Sequence, residues 1–138
     1  MSQSTVSLRL VALDLDGTLL THQSGISPLT RQAIAAAISH GVVVLPATGR
    51  PLANLPPVVA QLPGIRYAIT SNGASVWDLG SDPLGCVYSR YSNAAERETS
   101  DPICLIQNVF PVQKAREVFA LFQEYDGEIS VFSDGYSV

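Results

Sequence analysis

Three short apolar runs stand in the first half of the chain, and each ends in a polar cluster. The first, "SLRLVALDLD", is apolar nearly throughout. A continuous run of this length predicts a central strand of a parallel sheet, covered on both faces. "DGTLLTHQSG" follows as a loop or small flap. Ser27-Pro28 then predicts a helix start, since Ser caps free N–H groups and Pro suits the first helical position. Leu29, Ala33, Ile34, Ala37 and Ile38 make one apolar stripe at helical spacing, and Gly41 stops the helix. "VVVLPAT" predicts a second strand, so the first three elements form a right-handed βαβ unit. In "RPLANLPPVVAQLPG", Pro56 and Pro57 would interrupt a helix. The expected element is broken: a first turn near Pro51, then a short helix from about Pro56. "IRYAITSNGA" predicts a third parallel strand ending in a turn.

Beyond Asn72-Gly73 the pattern changes. "SVWDL" and "CVYSRY" read as two strands of a hairpin separated by "GSDPLG". "SNAAERETSDP" reads as an exposed polar loop and "ICLIQNVF" as another strand. "PVQKAREVFALFQEYDG" predicts a helix opened by Pro111, with Val112, Ala115, Val118, Phe119 and Phe122 on one side and an end before Gly127. "EISVFSDGYSV" predicts a strand and an Asp134-Gly135 turn. The chain divides into residues 1–79, the N-terminal part of a parallel α/β core, and residues 80–138, the start of an α+β unit.

Composition narrows the functional classes. The chain is 46% hydrophobic, enough to bury a core, and its net charge of −4 argues against a nucleic-acid partner. No stretch approaches the roughly 20 apolar residues of a membrane span, and "MSQSTVSLRL" does not resemble a signal peptide. A cytoplasmic protein without a membrane partner is expected. Cys86 and Cys104 fit neither a zinc signature nor a disulfide framework and read as reduced, half-buried thiols.

Ligands of open parallel sheets bind beyond the carboxyl ends of the strands. Three polar clusters fall there: Asp14/Asp16, Thr48-Gly49-Arg50 and Ser71-Asn72-Gly73. Two acids this close repel each other, and a hard cation such as Mg2+ relieves the repulsion through carboxylate oxygens. A metal beside a carboxylate nucleophile suits phosphoryl transfer. Thr48 has a hydroxyl to donate to a phosphoryl oxygen, and Gly17, Gly49 and Gly73 let backbone N–H groups approach an anion. Each cluster also has a plainer reading. Asp-x-Asp-Gly is a common turn, Thr48 and Arg50 a helix cap and a surface charge, and Asn72-Gly73 a hairpin turn. His22, His40 and Lys114 read as solvated groups, and Trp77 and Tyr88 as packing residues.

Taken together, "LVALDLDGTLL", "VVVLPATGRP" and "ITSNGASVWD", in this order and spacing, resemble the haloacid dehalogenase superfamily, and within it the Cof-type phosphatases with a cap inserted after the third core strand. The fold the resemblance implies is α/β: a partial Rossmannoid parallel sheet and the first part of an inserted α+β cap. The activity implied is Mg2+-dependent dephosphorylation of small phosphorylated metabolites, such as sugar phosphates, through an aspartyl-phosphate. Asp14 matches the nucleophile and Asp16 the general acid/base. Mg2+ would be held by the Asp14 carboxylate and the Asp16 backbone carbonyl. Thr48 matches the phosphoryl-binding hydroxyl, Gly49 and Arg50 share its loop, and Asn72 and Gly73 match a loop at the entrance. The family's later Lys and its acidic Gly-Asp segment have no counterpart here, and Lys114 falls too early to serve. The chain therefore reads as the N-terminal part of a longer or truncated protein, impaired on its own. A phosphomutase of the same superfamily and a non-catalytic fragment are the alternatives.

Overall fold

Strand β1 (Leu10–Leu13) opens the sheet in the computed structural model of the chain, which describes residues 7–81, 83, 102–125, 127–133 and 135–137. It pairs in parallel with β2 (Val43–Pro46), in register from Leu10↔Val43 to Leu13↔Pro46. Helix α1 (Pro28–Ser39) makes the crossover between them. Its start is as predicted: the Thr30 N–H donates to Ser27 Oγ at 3.1 Å, and Pro28 is the first helical residue.

The buried face of α1 is narrower than the predicted stripe. Ile34 is buried and Ala37 and Ile38 pack partly against the core, but Ala33 is exposed and Leu29 is 76% exposed. Leu29 stands five positions before Ile34, which at 3.6 residues per turn puts it about 140° round the helix. Thr30, about 40° from Ile34, occupies the inward side of the first turn instead, and it is half-buried.

The proline-broken element forms as expected. A 3₁₀ turn (Leu52–Asn54) follows Pro51, and a short helix α2 (Pro57–Ala60) starts directly after Pro56. Neither proline removes a needed donor at these positions. Strand β3 (Tyr67–Thr70) then joins β2 through a parallel bridge, Ala47↔Ile69.

Two expectations for the strands need correction. Strand β4 (Ser75–Asp78) forms, but it turns back antiparallel onto β3, from Tyr67↔Asp78 to Thr70↔Ser75. Its other edge takes β5 (Ile103–Gln107), also antiparallel. The tight Ser71–Gly73 turn favours the nearer pairing; "CVYSRY", the expected partner, lies outside the described residues, as do Tyr88, Cys86 and the polar loop. Strand β1 is not covered on both faces. Val11 and Leu13 pack against the core, but Leu10 and Ala12 are exposed, and among the described residues β2 is the only strand beside β1.

The core gathers Leu15, Leu52, Leu55, Val59, Ala68 and Leu79, each at most 2% exposed. Trp77 is a packing residue here, with its Nε1–H donated to the buried Thr70 Oγ1 at 3.0 Å. Cys104 is a free, partly buried thiol. In the second half, helix α3 (Val112–Phe122) follows Pro111 as predicted, but Val112, Val118, Phe119 and Phe122 are exposed among the described residues. A small hairpin, β6 (Phe132–Ser133) and β7 (Tyr136–Ser137), reaches back to the core, where the Ala53 N–H donates to the Gly135 carbonyl at 2.9 Å. Among the described residues no helix is long and apolar enough to cross a membrane.

Candidate active site

The turn after β1 is shaped by one buried side chain. Leu15 is completely buried, while Asp14 and Asp16 on either side of it are exposed. An inward leucine between two acids sends both carboxylates to the outer side of the strand end. The chain then closes a wide turn: the Leu19 N–H donates to the Asp14 carbonyl (3.1 Å) and the Leu20 N–H to the Leu15 carbonyl (2.9 Å). Within it Asp16 is extended and Gly17 has φ +77°, a left-handed conformation costly for a residue with a Cβ. Thr18 Oγ1 donates to Asp14 Oδ2 at 3.0 Å. Thr18 was not among the predicted site residues, although its place four positions after Asp14 is the signal that could have found it.

Thr48, Gly49 and Arg50 follow β2. Thr48 is buried, and its Oγ1 accepts the Arg50 N–H at 3.2 Å, which leaves the hydroxyl proton free to be donated. The Arg50 side chain crosses to the first cluster and grips Asp16 with two parallel bonds, Nε to Oδ2 at 2.9 Å and Nη2 to Oδ1 at 2.7 Å. This pairing holds the Asp16 carboxyl below the ordinary aspartate range and raises the Arg50 guanidinium, in both cases chiefly through the shared hydrogen bonds. The repulsion expected between the two acids is thus already eased by Arg50.

The third cluster locks onto the second. The Thr48 N–H donates to the Ile69 carbonyl (3.0 Å), the Ser71 N–H to the Arg50 carbonyl (2.9 Å), and the Asn72 N–H to the Thr48 carbonyl (3.2 Å). Ser71, Asn72 and Gly73 all have positive φ, at 52°, 55° and 89°. A Cβ on Gly49 would lie 2.9 Å from Asn72 Oδ1, so the absence of a side chain at Gly49 is what admits Asn72. The three predicted clusters therefore form one constellation, with Arg50 as the link between the first and the other two. The plainer readings hold elsewhere: His22 is exposed, His40 sits at the C-terminal end of α1 with Nδ1 2.7 Å from the Ala36 carbonyl, and Lys114 pairs with Glu117 on the surface.

Among the described residues no three His, Cys, Asp or Glu side chains gather as a metal cage. The donors at the end of β1, a carboxylate on Asp14 and a backbone carbonyl on Asp16, are hard oxygens of the kind Mg2+ accepts while keeping several waters.

A family model of haloacid dehalogenase-like hydrolases matches residues 11–98, well over half of the chain. The chain belongs to this family. Its Cof-type affinity, read from the sequence, stands with that assignment. One curated relative, a 5-amino-6-(5-phospho-D-ribitylamino)uracil phosphatase of Bacillus subtilis, is 37% identical over 78 residues, covering 56% of this chain and 31% of the relative. An HMP-PP phosphatase of Serratia proteamaculans is 41% identical over 70 residues, 51% of this chain and 26% of its own. The chain thus spans about a third or less of the length of these relatives. A solved sugar phosphatase of haloacid dehalogenase subclass IIB superposes with a TM-score of 0.61 at 22% identity, over 84% of this chain and 37% of its own, which makes the fold a partial haloacid dehalogenase fold.

Proposed function

We propose that the chain is the N-terminal part of a Mg2+-dependent phosphatase acting on small phosphorylated metabolites, sugar phosphates among them. The supporting observation is the paired presentation of Asp14 and Asp16 at the end of β1, opposite the Thr48–Arg50 loop. The named phosphatases among the relatives point the same way. Asp14 is the nucleophile: one carboxylate oxygen attacks phosphorus, the P–O bond to the leaving group breaks, and an aspartyl-phosphate forms. Its other oxygen is oriented by Thr18. Asp16 gives a proton to the leaving oxygen and later takes one from the attacking water. Thr48 donates its hydroxyl to a phosphoryl oxygen, and the Gly49, Asn72 and Gly73 backbone borders the same space. Mg2+, held by the Asp14 carboxylate and the Asp16 carbonyl, would neutralise charge on the phosphoryl oxygens.

Residues 1–79 belong to the catalytic core on this reading, and residues 80–138 begin the cap that covers and selects the substrate. The Lys and acidic segment that the family resemblance places later are not among these residues, so the chain alone is a slow catalyst. The test is turnover of an aryl phosphate by the purified chain with Mg2+. Slow release of inorganic phosphate that Asp14→Asn abolishes supports the reading. Turnover that survives Asp14→Asn, or an isomeric sugar phosphate as the product of a sugar phosphate, overturns it.

A further inference from the structure

Arg50 engages both oxygens of Asp16, the residue assigned the proton work. A carboxylate gripped in this way has both of its oxygens engaged by the guanidinium fork and is held toward Arg50. The grip is also open to exchange. The two side chains are 39% and 59% exposed, and solvent-exposed ion pairs are weak. The third guanidinium nitrogen, Nη1, is only 3.5 Å from the Asn54 carbonyl, a long contact that leaves the fork free to tilt. A phosphoryl group presents the same two-oxygen edge as a carboxylate and carries more charge, so it competes for the same fork.

We infer that Arg50 is a latch on Asp16: the guanidinium holds the Asp16 carboxylate until a phosphoryl group takes its place, and this exchange frees Asp16 for proton transfer. Arg50 is then a positioning residue toward Asp16 and a binding residue toward the phosphoryl group, in sequence. No covalent bond changes in the exchange; one ion pair is traded for another. The consequence is that phosphoryl binding raises the fraction of Asp16 that is released. The inference rests on the assignment of Asp16 as proton carrier and adds to it the means by which that residue is held idle.

A double-mutant cycle with inorganic phosphate as the probe tests it. Phosphate dissociation constants are measured by NMR titration for the unsubstituted chain, Asp16→Asn, Arg50→Gln and the double variant, all with Mg2+ present. If Asp16 competes for Arg50, Asp16→Asn tightens phosphate binding about two- to fivefold more in the Arg50 background than in the Arg50→Gln background, the range that exposed ion pairs span. Equal ratios in the two backgrounds overturn the latch and leave the phosphatase reading intact. No phosphate binding in any of the four forms overturns both. The Arg50 Nε–H resonance supplies a second measure that does not depend on the folding of Arg50→Gln. It should move on Asp16→Asn and move again on phosphate addition to the unsubstituted chain, and a resonance indifferent to phosphate sinks the exchange.

Discussion

Leu15 and Leu29 are the same residue in two opposite environments, and truncating each to Ala separates burial from composition. Leu15 is fully buried beneath the two acids, whereas Leu29 is 76% exposed on the first turn of α1. Removing a buried leucine side chain costs its transfer free energy plus that of the cavity left behind, about 2–5 kcal/mol in all. With core neighbours on one side and an open turn on the other, Leu15→Ala should fall near the middle, at about 3 kcal/mol. Leu29→Ala buries nothing less and gains slightly in helix propensity, so it should lie within about 0.5 kcal/mol of the parent. Trp77, the chain's single tryptophan, is buried and provides the fluorescence signal for urea titrations. At a urea m-value of about 1–2 kcal/mol/M, Leu15→Ala should lower the midpoint by about 1.5–3 M and Leu29→Ala by less than about 0.5 M. Leu15→Met, which keeps volume, should lose under about 1.5 kcal/mol. Midpoints that fall equally for Leu15→Ala and Leu29→Ala would show that Leu15 does not anchor the turn that presents Asp14 and Asp16.

Gly49→Ala should cost about 1 kcal/mol, because its Cβ meets Asn72 Oδ1, and most of that loss should vanish in an Asn72→Ala background; thermal melts of the four forms read the coupling. Thr70→Val removes the buried acceptor of the Trp77 indole and should cost about 1–2 kcal/mol, with a shifted Trp77 emission in the folded state; an unchanged melt and spectrum would refute the role of that bond. Arg66 grips Asp78 with its guanidinium, and the Gly80 N–H adds a further bond, so the Asp78 carboxyl is held below its ordinary value. The unfolded chain therefore binds the proton first on acidification. The pair's contribution is fully present above the ordinary Asp value of about 3.9 and is lost as pH falls through the lower folded-state value. Urea midpoints measured across that window should fall less steeply for Arg66→Ala than for the parent.

Local pattern reached the elements whose causes are local. Ser27-Pro28 and Gly41 bounded α1, and the proline pair foretold the break between the 3₁₀ turn and α2. The three polar clusters were legible because each follows an apolar run, and strand ends gather at one sheet edge. Helix phase was less legible: Leu29 looks apolar in any window, and only the packing of Ile34 shows that it faces outward. Pairing choices were not local at all. β4 was expected to pair with "CVYSRY", whereas it folds back onto β3 across the Ser71–Gly73 turn. The Arg50–Asp16 pair joins residues in different βα turns, and no spacing rule connects them. Until β1 and β2 are set side by side, Arg50 is indistinguishable from a surface charge.

The bonds between the Thr48–Arg50 and Ser71–Gly73 loops bear on the order in which the molecule assembles. Each loop borrows its hydrogen-bond partners from the other, and the donors and acceptors match only when β2 and β3 lie in the Ala47↔Ile69 register. A slip of one residue would face Thr48 with the wrong carbonyl and turn alternate side chains to the opposite side of the sheet. Neither loop can therefore reach its shape as an independent segment early in folding, because closing the chain between them comes first. The sheet edge that carries the proposed site thus serves as a proofreading step for strand alignment: a misregistered chain cannot form the two interlocked loops.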